Sequence, residues 1–528
     1  MSAKLLIVAA ALTLLGMGRA GLAQPVKGIV IDTDRSVNTA TLKTIVADVG
    51  AGCQSDQDKA IALYNYMVRT CWMSWHSHRP LEIQHSGPHT GKLLFANDPL
   101  KYISVYGYLG CGPQAGVLSS LMEAAGIESR MLHPGFGHVS CEFKWGGKWH
   151  WIDPWLPAYV LDKNGEILSY EAIMADRSLF AKAREEGRAP GNFMVNWQAD
   201  RNAVMTAKDW KAGGRDPYPQ RYVENLSLRP GERCTWLWGN VGKWYNPAGP
   251  YIDQHLSGQF PAGPCTKFGN ESVLKDAFPH WEPYRKVIKN GSHPWSEVYY
   301  RYYGNAVFEH APRLTEAGLK AFGATLAGAT VAEGGGVKVA GDGGEVRMGF
   351  DLPYVIADAE VAGELDADVG GGLSVLFSVD GGKTWLLGGE VHEGGEFGPV
   401  RIGRPNTYEF PAGSVSGQYR YELRLVMRTN WRRKPTVLKA LKVTNTTMLN
   451  FYSRPWLETG RNAVTVTAAE GSDLAAAPLE VTWRWLEDWT SGKSFTHKVD
   501  RSGAGGVIEV GGTKRPKMES ISIACPAR

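Results

Sequence analysis

The sequence predicts a multidomain protein in which an N-terminal α+β domain is followed by all-β modules of the β-sandwich type. Three observations carry this expectation. At 528 residues the chain is too long for one hydrophobic core, and roughly three or four domains are expected. Helical periodicity is concentrated before about residue 200. Beyond that point strand-like runs at 346–356, 373–379, 419–427 and 436–443 alternate with Gly-rich turns, with no fixed-period repeat. The expected segments are a leader over 1–23, an α+β domain over 24–200, a β-rich connection over 201–330, a β-sandwich over 331–450 and a C-terminal β module over 451–528. A Gly-rich stretch at 334–344 marks either a boundary or a loop.

The first residues carry one positive charge at Lys4, an apolar run over 5–15 and small residues at 20–23. This is the layout of a secretory signal peptide cut after Ala23, so a secreted or periplasmic location is expected, an uncleaved anchor being the alternative. No later segment is long and apolar enough to span a bilayer, so the mature chain is expected to have no membrane span. The formal charge of +4 includes Lys4 and Arg19, and the remaining charges of both signs are interspersed, which gives no footprint for nucleic acid.

Within the α+β segment, Ala60, Ile61, Tyr64, Met67 and Val68 fall on one helical face, and Ser55 with Asp58 suggests a capping box. A second helix is expected over 113–125, with Val117, Leu118, Leu121, Met122 and Ala125 at spacings of three and four, Pro113 in the first turn and Gly126 past the end. It begins directly after Cys111. A cysteine at a helix N-terminus faces unpaired N–H groups and the positive end of the dipole, which favour a thiolate; a buried apolar cysteine or half a disulfide is the bland alternative.

Two apolar, aromatic runs follow, 138–145 and 148–155, separated by Gly146 and Gly147, a two-residue hairpin turn. That turn pairs Trp145 with Lys148, Glu142 with Trp151 and Ser140 with Asp153. His138 and Asp153 then lie on one face as diagonal neighbours, about 7–8 Å apart at the backbone, within reach of a hydrogen bond. A three-residue loop would put them on opposite faces. Cysteine, histidine and aspartate suit one chemistry: a thiolate attacks a carbonyl, an imidazole activates the thiol and protonates the leaving amine, and a carboxylate fixes the imidazole tautomer.

The ordered set Gly110-Cys111-Gly112-Pro113-Gln114-Ala115, Ala125-Gly126-Ile127, Arg130, His138-Val139, Glu142, Trp149 and Asp153-Pro154 resembles the transglutaminase-like core, a papain-like cysteine-enzyme fold, over about residues 55–160. Ser140 and Cys141 depart from the aromatic residue often found after the histidine in that family. The resemblance implies catalytic Cys111, His138 and Asp153 and attack on a γ-carboxamide or peptide carbonyl. The resulting thioester is resolved by water or an amine, hydrolysis being favoured over cross-linking. An oxyanion hole is expected from the Cys111 N–H and an upstream donor, for which Tyr106 and Tyr108 are candidates that equally suit packing.

Seven cysteines in an exported chain leave at least one unpaired if the others form disulfides, and Cys111 is the one expected to be free. Cys53 and Cys71 flank a helix that would hold them about 20 Å apart, beyond disulfide reach. Cys234 with Cys265 is the better pair, and Cys525 suits a tie at the C-terminus. His76, His78, His85 and His89 match no closed zinc pattern, and His133 reads as a residue near the approach to the site; neither metal nor cofactor is expected. Ser378, Asp380, Gly381, Gly382, Thr384 and Trp385 resemble an Asp-box hairpin, a structural motif. Nineteen tryptophans leave polysaccharide or cell-wall binding by the β modules as a minority reading beside a peptide or protein amide substrate. The competing functional class is a non-catalytic surface or glycan-binding protein on the same scaffold; no carboxylate pair argues for glycosidase chemistry.

Overall fold

The computed structural model describes residues 24–73, 81–87, 90–135, 138–154, 158–186, 211–212, 217–239, 241–243, 245, 304–404, 413–430 and 434–527. The expected leader and Cys265 lie outside the described residues, as do His76, His78 and His89. The described chain is mostly β-strand with few helices. Among the described residues no helix is long and apolar enough to cross a membrane.

The first long helix runs Asp56–Thr70, with Ser55 accepting from the Asp58 N–H. The reciprocal half of the expected capping box differs, because the Asp58 carboxylate accepts from the Ser55 hydroxyl at 2.8 Å. The second helix, Cys111–Ala124, starts two residues earlier than its apolar periodicity suggests and takes in Cys111 itself. Its residues 111–122 are buried all round, as befits a helix enclosed by its domain. It packs across a five-stranded sheet whose strands lie in the order Lys211–Ala212, Glu128–Gly135, His138–Trp145, Lys148–Asp153 and Ala158–Tyr159. Gly116 gives the helix a close neighbour: a Cβ there would lie 2.3 Å from the Tyr218 ring.

Most of the later strands form two sheets packed face to face, while Gly460–Thr467 and Ala504–Val510 join Val30–Thr33 in a third, three-stranded sheet. In the larger one, Val437–Leu449, Gly304–His310, Glu232–Leu237, Lys517–Cys525 and Leu479–Glu487 are successive neighbours. In the smaller, the order is Thr325–Ala327, Gly343–Asp351, Arg420–Arg428, Gly372–Ser378 and Leu386–Val391. Tyr421, Leu423, Leu425 and Met427 alternate inward along one strand. Phe350 meets His310 of the larger sheet edge-on at 4.8 Å, and the Tyr421 hydroxyl bonds Asn445 across the layers at 3.0 Å.

The sheets depart from the segments read off the sequence. The larger one draws strands from 232–237, 304–310, 437–449, 479–487 and 517–525, so the breaks expected near 330 and 450 are not sheet boundaries. The N-terminal strand Val30–Thr33 pairs with Gly460–Thr467. Antiparallel pairing of distant strands buries their apolar faces without regard to chain order. The expected strand over 346–356 is also two strands, Gly343–Asp351 and Ile356–Asp366, divided around Pro353, which has no N–H for a ladder.

The disulfide expectation is corrected likewise. No disulfide joins two of the described cysteines. Cys234 is a buried thiol whose cross-strand partners are Phe308 and Ile523, while Cys525 lies opposite Glu232. Cys53 and Cys71 stand apart as thiols at the two ends of the Asp56–Thr70 helix.

The Asp-box residues form the turn between Gly372–Ser378 and Leu386–Val391. Asp380 accepts from the Thr384 N–H at 3.0 Å and its hydroxyl at 2.6 Å, and Gly381 and Gly382 take the left-handed backbone the turn requires. Burial pushes the Asp380 carboxyl up, but the hydrogen bonds from Thr384, Ser378 and Lys383 together outweigh it and hold it at about 2. The network is structural.

Candidate active site

The hairpin that delivers His138 and Asp153 has the register its two glycines demand. Trp145 pairs with Lys148, Glu142 with Trp151 and Cys141 with Ile152, while Gly146 and Gly147 adopt positive φ of 56° and 78°. His138 and Asp153 therefore share a face, and His138 Nε2 lies 2.5 Å from Asp153 Oδ2. This leaves Nδ1 as the nitrogen for the Cys111 thiol, which is hydrogen-bonded to the same imidazole. The Val139 N–H also donates to the sulfur. All three residues are nearly enclosed, Asp153 completely.

Enclosure sharpens the electrostatics. Burial alone pushes the Cys111 thiol up; the hydrogen bond and charge of His138, helped by the Val139 N–H, overcome this and bring it below its ordinary value of 9.0, against a small opposing push from Asp153. Burial pulls the His138 imidazole down, but the Asp153 charge and hydrogen bond, together with Cys111, raise it to about 10. Both shifts favour a thiolate–imidazolium pair, titrating as one unit.

A pH profile follows from these signs. Alkylation of Cys111 by iodoacetamide rises through an apparent value below 9.0, ahead of an ordinary thiol. The imidazolium form of His138 persists until pH passes about 10. A stopped-time alkylation series from acid to alkaline pH checks this; a midpoint at or above 9.0 would remove the ion pair.

The other residues of the sequence pattern act as supports. Arg130 forks onto Glu142 Oε2, with Nε at 2.9 Å, and lies 4.0 Å over the Trp149 ring, while Glu142 Oε1 accepts the Tyr170 N–H at 3.0 Å. The unusual Ser140 accepts the Trp151 indole N–H at 2.9 Å, and Cys141 donates to the Ile152 carbonyl. Tyr106 is buried and its hydroxyl donates to Glu82 Oε1 at 3.1 Å; Glu82 also receives Tyr419 and Lys101 at 2.8 and 2.7 Å. Tyr108 belongs to a two-residue strand paired in parallel with Trp72–Met73. His133 is exposed on the neighbouring strand, and among the described residues no His, Cys, Asp or Glu cluster could hold a metal.

Glu82, Asp98 and Asn450 were not singled out by the sequence. Asp98 Oδ1 caps the short helix Pro99–Lys101, and Oδ2 accepts the Arg221 and Tyr222 N–H groups at 2.6 and 2.7 Å, joining the segment before Cys111 to the start of the β half. An Asp-Pro pair is a helix-start signal, so the cap alone was within reach of sequence reasoning.

No family model and no curated protein matches the chain. Among solved structures, a glycosyl hydrolase family 2 member from Bacteroides cellulosilyticus aligns with 35% of this chain and 24% of its own at 9% identity, TM-score 0.13. The pilus backbone RrgB from Streptococcus pneumoniae aligns with 35% of this chain and 43% of its own at 12% identity, TM-score 0.08. The chain thus spans less than half the length of either.

Proposed function

We propose that this chain is an exported cysteine-nucleophile enzyme of the transglutaminase-like class, acting on amide or peptide bonds through a thioester. The observation that carries the reading is the hydrogen-bonded series Cys111–His138–Asp153, with the cysteine in the first turn of a buried helix. The thiolate attacks the carbonyl carbon, forming a C–S bond. As the C–N bond breaks, the imidazolium proton passes to the departing amine. The neutral imidazole then takes a proton from water as its oxygen attacks the thioester carbon, and the C–S bond breaks, releasing the acid and restoring the thiolate–imidazolium pair. An amine in place of water gives transamidation by the same step. The developing oxyanion falls to the N–H groups at the helix start, with the Cys111 N–H as the first donor. The β modules are read as the part that positions the substrate polymer, whether peptide or wall-linked.

Cys111→Ala is expected to abolish turnover, in a screen of peptides, crosslinked wall material and polysaccharides, and to remove the fast phase of iodoacetamide labelling at neutral pH, leaving only the slow labelling of other accessible thiols such as Cys53. Full activity in that variant would sink the mechanism. Hydroxamate formation with added hydroxylamine reads the thioester directly.

A further inference from the structure

Asn450 follows the strand Val437–Leu449, some three hundred residues beyond the nucleophile, and is completely buried. Its side-chain amide donates to the Thr70 carbonyl at 2.9 Å and the Ile103 carbonyl at 2.6 Å, while its own N–H donates to the Ser104 carbonyl at 3.1 Å. Thr70 ends the helix Asp56–Thr70, and Ile103 and Ser104 belong to the π-helical turn Tyr102–Tyr106. Carbonyls at helix ends lack partners within the helix, and one asparagine satisfies three of them.

The two segments so fastened converge on Cys111. After Thr70 comes Trp72–Met73; after the π turn comes Tyr108–Leu109; these two short strands pair in parallel, and the second leads through Gly110 into the Cys111 helix. Gly107 lies between, with φ of +68°, and a Cβ there would sit 2.6 Å from Asn450 Cγ. The backbone therefore closes directly on the Asn450 amide.

We infer that Asn450 is a positioning residue for Cys111, a clasp by which the β half sets the approach of the chain to its nucleophile. This rests on the cysteine-nucleophile reading. Asn450→Asp keeps the shape but removes both N–H donors and turns an oxygen toward the Ile103 carbonyl. The expected result is a fall in the iodoacetamide alkylation rate of Cys111 of about 10- to 100-fold at neutral pH, with the midpoint of its pH profile moved upward.

Asn462→Asp serves as the control. Asn462 is equally buried and its amide holds the Glu458 and Gly460 carbonyls at 2.8 and 2.9 Å, far along the chain from the Cys111 segments. It should lose stability without moving the profile. If Asn450→Asp does not give a cooperative melt, Asn450→Ala, which removes the donors without adding charge, is read in its place. A folded Asn450 variant with the wild-type profile, or one matched by Asn462→Asp, overturns the clasp alone. Turnover that survives in Cys111→Ala overturns the enzyme reading instead.

Discussion

Asp153→Asn is expected to lower turnover by roughly 10,000-fold while the protein stays folded. Asparagine fills the space of the enclosed carboxylate, but its amide donates to His138 Nε2 where the carboxylate accepted. The ring proton then moves to Nδ1, the nitrogen that faces Cys111, and no basic site is left to take the thiol proton. The charge that raises the imidazole is lost in the same change, so the Cys111 midpoint should climb back toward 9.0. Alkylation across pH, beside a circular-dichroism melt, measures both parts. A folded variant with an unaltered midpoint would show that Asp153 does not govern the pair.

The second large effect concerns stability. Arg454 is buried, forks onto Glu224 with Nη2 to Oε2 at 2.8 Å, and lies 5.0 Å over the Trp236 ring; the Tyr354 hydroxyl donates to the same carboxylate at 2.6 Å. Burial opposes the guanidinium charge, and Glu224 more than restores it. Glu224→Ala would leave a buried, unpaired cation and is expected to cost about 3–5 kcal/mol. Combining it with Arg454→Met should recover much of that loss, because the penalty belongs to the uncompensated charge rather than to the missing pair. Urea midpoints of the two variants decide it: equal destabilisation would place the cost in packing.

The arrangement of these groups bears on how the halves of the chain cooperate. Glu224, Tyr354 and Arg454 come from three distant stretches, and Asp98 and Asn450 each fasten the segment before Cys111 to later residues. The β half is thus bonded to the backbone that leads to Cys111, which is the physical ground for the clasp.

The helix over Cys111–Ala124 and the hairpin carrying His138 and Asp153 were legible in the sequence because both are local. Apolar spacing sets one, and two adjacent glycines set the register of the other; a period of two then places both side chains on one face. The Asp-box turn was legible for the same reason, its bonds spanning four residues at most. The β modules were legible only as strand-rich chain. Strand partners are chosen by burial across hundreds of residues, so Val30–Thr33 beside Gly460–Thr467, and the joining of 232–237 to 517–525, leave no local trace. Cys234 likewise stands as a free, buried thiol rather than half of a disulfide, with Phe308 and Ile523 opposite it on the neighbouring strands.

The sequence by itself determined a cysteine at a helix start and a histidine and aspartate on one face of a hairpin, because backbone periodicity and turn chemistry act over a few residues. Only the tertiary structure decided that the three side chains meet, that their mutual hydrogen bonds and charges outweigh the opposing effect of burial and favour an ion pair, and that Asn450 closes the backbone behind them. Those depend on which distant surfaces exclude water together, and no short stretch of sequence carries that information.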